Sequence, residues 1–191
     1  MHIKFLKHGT GSGQKAADYL LGERDHTGKV RAGVEVMRGN PQHFGQVADS
    51  LEFIHRYTSG VIAWSPEDQP TDAQISAVLD DFEKVAFAGL EPDRYCWSAV
   101  KHLEDDGGVH VHVVAARVDL ETGKSLNIAP PGWEKTFDPL RDYYNHSQGW
   151  ARPDDPMRAR MVQPGHQALI DASTLRQGLA VEPDTKALLT R

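Results

Sequence analysis

Two periodicities organise the chain. Short runs rich in β-branched and aromatic residues, at 2–6, 34–38, 58–64, 94–102 and from 109 to about 116, read as strands. Between them lie segments with helical spacing. Residues 14–21 place Ala16, Ala17, Leu20 and Leu21 on one packing face, and Gly22 ends the helix. Asn40 and Pro41 supply an N-cap and a first helical position for a helix running to about residue 54. Thr71 caps a longer helix to about residue 88, whose Ile75, Val78, Leu79, Phe82, Val85 and Ala86 form an apolar stripe. Residues 119–124 form a turn, 127–133 an irregular Pro/Gly segment, and Asp138-Pro139 caps a helix to about 146. Strands and helices thus mix around an antiparallel hairpin, so the class is α+β, a central antiparallel β-sheet with flanking helices. The expected organisation is one domain over 1–162 and a tail over 163–191 holding one short helix, with Gln163-Pro164-Gly165 as the break.

The 191 residues are enough to bury a substantial core. Cys96 is the sole cysteine, which removes any intrachain disulfide and points to a reducing, cytoplasmic setting; its expected role is a buried structural thiol. No apolar run reaches the length of a membrane span, and no signal peptide opens the chain, so no membrane insertion is expected. A formal net charge of −6 argues against a broad, sequence-blind nucleic-acid binder but leaves room for local basic grooves. Arg24, Lys29, Arg31 and Arg38 form one candidate cluster, and Arg152, Arg158 and Arg160 another; each is either a groove or a solvated face. The loop Gly9-Thr10-Gly11-Ser12-Gly13 lacks the spacing of a P-loop or a dinucleotide fingerprint. It is either a plain connector or a set of backbone N–H groups offered to a phosphate.

The chemistry concentrates at 95–117. His102 ends one strand, Glu104 to Gly108 form a polar turn, and His110 and His112 occupy alternate positions of the next strand. Alternation sends His110 and His112 to one face. If His102 pairs opposite His110, all three imidazoles share it, whereas a one-residue slip would invert one strand. Three neutral imidazoles with open positions for water or substrate describe a catalytic metal site, and they suit Zn, Mn, Co, Ni or Fe. Glu104 is a candidate base, or a carboxylate that orients a ligand ring; Asp105 and Asp106 read as a solvated turn.

The motif His102-x7-His110-x-His112 and the N-terminal Gly11-Ser12-Gly13-Gln14-Lys15-Ala16-Ala17-Asp18-Tyr19-Leu20-Leu21 together resemble the MobA-type mobilisation relaxases of the HUH endonuclease superfamily, over roughly residues 1–150. The resemblance implies a relaxase fold and a divalent metal ion (Mn, Mg or Zn) on the three histidines. It also implies nicking of one strand at a plasmid origin of transfer through a covalent 5′-phosphotyrosine, with single-stranded origin DNA, relaxosome accessory proteins and coupling proteins as partners. It makes Tyr19 the nucleophile, with Tyr57, Tyr95 and above all the pair Tyr143-Tyr144 as rivals, and gives Asp18 little part. Arg24, Lys29, Arg31, Arg117, Lys124 and Asn127 become candidate DNA contacts, and Trp133 and Trp150 either stack on bases or pack internally. The chain carries no helicase or primase segment and is acidic, which implies a minimal or specialised member. Three other readings remain: a rolling-circle replication initiator, a DNA-binding relaxosome protein that does not nick, and an unrelated His-metal hydrolase.

Overall fold

A computed structural model describes residues 1–7, 9–24 and 28–155. The chain divides into two units, Met1–Pro153 and Asp154–Arg191. Arg158, Arg160 and the expected tail helix lie outside the described residues.

The first unit is built on five strands, β1 (His2–Phe5), β2 (Gly33–Gly39), β3 (Tyr57–Trp64), β4 (Trp97–Leu103) and β5 (Val109–Ala116). They form one sheet in the order β1-β3-β5-β4-β2, with every neighbouring pair antiparallel. Four helices cover it: α1 (Gly13–Leu21), α2 (Pro41–Asp49), α3 (Asp72–Ala86) and α4 (Glu134–Gln148). This is the α+β architecture that the alternating pattern implies.

Period-two alternation gives the sheet two buried faces with separate cores. On one, Trp97, Ala99, Val111, Val113 and Ile62 meet Ile75, Val78, Leu79 and Phe82 of α3 and Phe137 of α4. On the other, Val100, Val114, Ala116 and Tyr57 meet Ala17 and Leu20 of α1 and Phe44 and Ala48 of α2. The helix starts are as local chemistry dictates. Asn40 accepts from the N–H groups of Gln42 and His43 with Pro41 behind it, and Thr71 and Gln74 complete a reciprocal capping box.

Three boundaries depart from the sequence reading. Helix α2 ends at Asp49 rather than near 54, because Ser50 closes it and Leu51 and Phe53 turn back onto the α1/α2 core while Ile54 is left exposed. Helix α4 starts at Glu134, not at Asp138, with Pro139 inside it. Burial of Phe137 and the packing of Trp133 edge-on against Phe5 draw the preceding residues into the first turn. Strand β4 begins at Trp97, since Pro92–Arg94 form a 3-10 turn whose Arg94 is paired with Asp119 and Glu121.

Phe82 is fully buried between Phe5, Trp97 and Phe137. Phe82→Ala should therefore cost about 3–5 kcal/mol in urea unfolding followed by circular dichroism; a loss under about 1 kcal/mol would contradict this packing.

Candidate functional site

The register of the β4–β5 hairpin decides the site. His102 pairs directly with His110, and Val100 with His112. All three imidazoles therefore stand on the α1/α2 face, with ring centroids 4.7 Å apart for His102 and His112 and 6.4 Å for His110 and His112. The row continues across the sheet: His2 pairs with Ala63 and Ala63 with His110, while Lys4 pairs with Val61 and Val61 with His112. His2 and Lys4 thus extend the same face towards the β1 edge.

Burial favours neutral rings. It holds His112 down to about 3, assisted by His102, His110 and Arg31. His102 is likewise lowered, first by burial and then by Arg31 and His110, against the opposing bond to Leu20. Glu104 takes a position beside the Nδ1 of His110, at 2.9 Å, which orients that ring and leaves its Nε2 facing away from the carboxylate. The other turn acids have structural partners: Asp105 pairs with Lys29, and Asp106 accepts from the Gly108 N–H.

As a donor set, three imidazoles, one of them oriented by Glu104, suit a divalent ion. Their positions are not closed around one: among the described residues, no group of three His, Cys, Asp or Glu is placed to hold a metal. The Nε2 of His102 instead donates to the Leu20 carbonyl at 2.8 Å.

That bond ties the histidine face to α1. Tyr19, the residue before Leu20, is 42% exposed, and with His112 it lines a cleft of about 520 Å³ between α1 and the sheet. The guanidinium of Arg31 lies 4.7 Å from the Tyr19 ring centroid and donates to the carbonyls of Tyr19 and Gly22. Helix α1 is held at its start by Asp49, which accepts from Ser12 Oγ and from the N–H groups of Gly13 and Gln14. The glycine loop is therefore no phosphate cradle: a carboxylate of the protein already fills its anion position. Gly9 is required for a different reason, since a Cβ there would lie 2.1 Å from the Tyr57 carbonyl oxygen at a φ of 145°.

The rival tyrosines stand elsewhere. Tyr144 is buried in the α3/α4 core with its hydroxyl on Asp81, and Tyr143 beside it is exposed on α4. Tyr95 stacks on Phe87 and donates to Glu83. Tyr57 lines the cleft from the sheet side, packed edge-on against Phe44. Asp18 accepts from Gln14 on the surface of α1.

The candidate DNA contacts separate into two groups. Arg31 sits at the site, held by α1. Arg24 donates to Gly28, and Lys29 pairs with Asp105 at the hairpin turn. Arg117, Lys124 and Asn127 follow the far end of β5, away from the histidines; Asn127 closes a local turn on Ala129. Arg38 is committed to Ser76 and Asp80 on the opposite face. Trp150 packs against Trp64 and Tyr144 in the core. Cys96 is buried, and burial pushes its thiol up to about 11, as a structural residue requires. Sequence reasoning missed Lys15 and Ser59, both lining the cleft. The signal for Lys15 was its place four residues before Tyr19, one helical turn away; that for Ser59 was a small hydroxyl residue, beside Thr58, in a strand whose later positions are apolar.

The chain is similar to known proteins. A family model described as relaxase, MobA/VirD2-like, nuclease domain matches residues 47–150. The DNA relaxase MbeA of Escherichia coli is 32% identical over 166 residues, 85% of this chain but 30% of that protein. Cryptic plasmid protein C of Neisseria gonorrhoeae is 31% identical over 164 residues, 85% of this chain and 77% of that protein. A solved structure from work on vancomycin resistance transfer in Staphylococcus aureus aligns with a TM-score of 0.48 at 12% identity, over 79% of this chain and 94% of its own. The chain belongs to the MobA/VirD2-like relaxase nuclease family. It spans under a third of the length of the E. coli relative and about three quarters of the gonococcal one. No helix among the described residues is long and apolar enough to cross a membrane.

Asp49 gives a pH-dependent prediction. Burial raises its carboxyl, but bonds from Gln14, Ser12 and Gly13 and the charge of Arg56 outweigh this and hold it below its ordinary value of 3.8. A lowered folded-state value contributes stability above the unfolded value and loses it as pH falls through the folded one. Asp49→Ala should cost about 1–3 kcal/mol at pH 7, with the gap to wild type closing below about pH 4. A gap unchanged at pH 2.5 in parallel urea titrations would contradict it.

Proposed function

We propose that the chain is a DNA strand transferase that nicks and rejoins one strand at a plasmid origin of transfer, with Tyr19 as nucleophile. The observation that carries this reading is the shared cleft: Tyr19 and His112 line it together, and the next residue of α1 is bonded to His102. Membership of the relaxase nuclease family and the E. coli relative's name support the same chemistry.

His102, His110 and His112 would hold a divalent ion, with His102 giving up its bond to Leu20 if it ligates through Nε2. When bound, such an ion supplies positive charge to the non-bridging oxygens of a scissile phosphate. Glu104 acts as a positioning residue here, since one of its oxygens is taken by the Nδ1 of His110. Tyr19 Oη attacks phosphorus: the Tyr O–P bond forms, the P–O3′ bond breaks, the phenol proton passes to solvent in the open cleft and O3′ takes up a proton. The 5′-phosphotyrosine so formed conserves the bond, so the reverse attack by a 3′-hydroxyl reseals the strand. Arg31 places a permanent positive charge beside the ring where negative charge builds up. Such an enzyme would work within a relaxosome, alongside accessory and coupling proteins.

The test is a denaturing gel. Labelled single-stranded oligonucleotides from a panel of plasmid origins are incubated with the full chain and Mn²⁺. A metal-dependent, denaturant-resistant protein–DNA band that Tyr19→Phe abolishes is expected. A band that survives in Tyr19→Phe would assign the nucleophile elsewhere. DNA binding without a band on a cleavable origin would favour a protein that does not nick.

Glu104→Gln should weaken Mn²⁺ binding about 10–100-fold in titration calorimetry while leaving Tyr19 in place. An unchanged affinity would remove Glu104 from the site.

A further inference from the structure

Three depressions adjoin at the end of the sheet opposite the Glu104–Gly108 turn. Glu83, Pro92 and Tyr95 line both the first and the second, and Leu120 lines the second and the third. Their volumes are about 530, 310 and 580 Å³. Together they make a groove that reaches Trp97, about 17 Å along β4 from His102. Its walls are tied together: the Leu120 N–H donates to the Arg94 carbonyl, and Arg94 pairs with Asp119. Its surface is partly apolar, with Tyr95 stacked on Phe87 and Leu120 44% exposed. The charge along it is negative. Arg38, Lys84 and Arg94 are already taken, by Asp80, by Asp81, and by Asp119 and Glu121. Glu83, Glu91 and Asp93 line the groove with no ion pair to a cation among the described residues. Glu83 is the telling one. One of its oxygens accepts from Tyr95 Oη and Trp97 Nε1, both at 2.9 Å, and both donors are neutral. A half-buried carboxylate set among aromatic rings, with no cation on it, is half of an ion pair.

We infer that this groove docks a basic segment of a partner protein, with one arginine or lysine of that segment on the carboxylate of Glu83. The sign of the charge selects the occupant. A nucleic-acid backbone or an anionic membrane surface is repelled by Glu83, Glu91 and Asp93. A second copy of this chain, at a net charge of −6, is disfavoured for the same reason. A guanidinium or ammonium completes the pair at Glu83 and lies beside the Tyr95 ring. Apolar residues of the same segment cover Leu120 and Pro92, and flanking basic residues meet Glu91 and Asp93 at the rim. The groove is remote from the histidines, so the partner and a DNA strand bind together rather than compete. The inference does not depend on whether Tyr19 nicks.

The Trp97 indole reports on the groove directly, because its N–H donates to Glu83. The probe is the pentapeptide acetyl-Arg-Leu-Arg-Leu-Arg-amide, titrated at physiological ionic strength into the nitrogen-15 labelled full chain. The control peptide carries glutamate in place of each arginine. The expected result is a saturable shift of the Trp97 indole resonance, with a dissociation constant of about 1 mM or tighter. The indoles of Trp64, Trp133 and Trp150 should stay in place, and the control peptide should shift none of the four. Glu83→Gln keeps an acceptor for Tyr95 and Trp97 but loses the charge, and should weaken the peptide roughly ten-fold. The surface pair Glu91→Gln with Asp93→Asn, which disturbs no packing, should weaken it about three-fold. A single-stranded thymidylate oligonucleotide in the sample should leave the peptide's affinity unchanged. No saturable shift at Trp97, an equal shift with the control peptide, or full affinity in the Glu91→Gln, Asp93→Asn chain would overturn the docking groove. Displacement of the peptide by the oligonucleotide would overturn it too, by placing the peptide on the DNA-binding surface. None of these outcomes touches the strand-transferase reading, which the denaturing gel tests separately.

Discussion

The antiparallel register of β4 against β5 is the constraint on which the rest of the site depends. Side chains in a strand alternate faces, so a slip of one residue would send His102 to the face opposite His110 and His112. The register is held from both sides of the sheet. On one face Val100 and Val114 pack beneath α1 and α2; on the other Ala99, Val111 and Val113 pack beneath α3 and α4. Any slip would expose apolar side chains and bury polar ones on both faces at once, which is far costlier than the loss of a single contact. The hairpin is central in the five-strand order, with neighbours pairing both of its outer edges, so the histidines sit on interior strands of the sheet.

Helix α1, which carries Tyr19, is placed by a second set of constraints. Asp49 pins the start of α1, His102 and Arg31 engage carbonyls at its end, and Ala17 and Leu20 fill the core beneath it. Close approach of α1 and α2 depends on small residues: a Cβ on Gly13 would lie 2.5 Å from that of Ala48, and one on Gly45 2.9 Å from the backbone of Gln14. Tyr19 itself stays half exposed, as the proposed nucleophile requires. Packing thus carries the precision, and the Tyr19 ring is left open.

Much of this was legible in the sequence because short-range chemistry writes it there. The Glu104–Gly108 turn and the spacing from His102 to His110 specified the hairpin and its shared face, and Asn40-Pro41 and Thr71 announced two helix starts. The errors came where distant contacts override local signals. Pro139 reads as a helix start until Phe137 and Trp133 find their core partners. The glycine loop reads equally as a connector or an anion site until Asp49, more than 30 residues away in sequence, supplies the carboxylate. Arg31 reads as part of a groove or a solvated face until the fold lays it over Tyr19. Ser59 and Lys15 carried only faint local signals, since their relation to His112 exists only once β3, β5 and α1 are packed together.

The central claim is that Tyr19 shares the histidine face while the Tyr143-Tyr144 pair lies behind the sheet. Paramagnetic broadening measures this directly, because Mn²⁺ bound at the histidines erases signals near it and spares distant ones. With the tyrosine rings carbon-13 labelled in the full chain, substoichiometric Mn²⁺ should remove the Tyr19 resonance first and leave Tyr143 and Tyr144 sharp. Loss of the Tyr143 or Tyr144 signals with Tyr19 preserved would contradict the account.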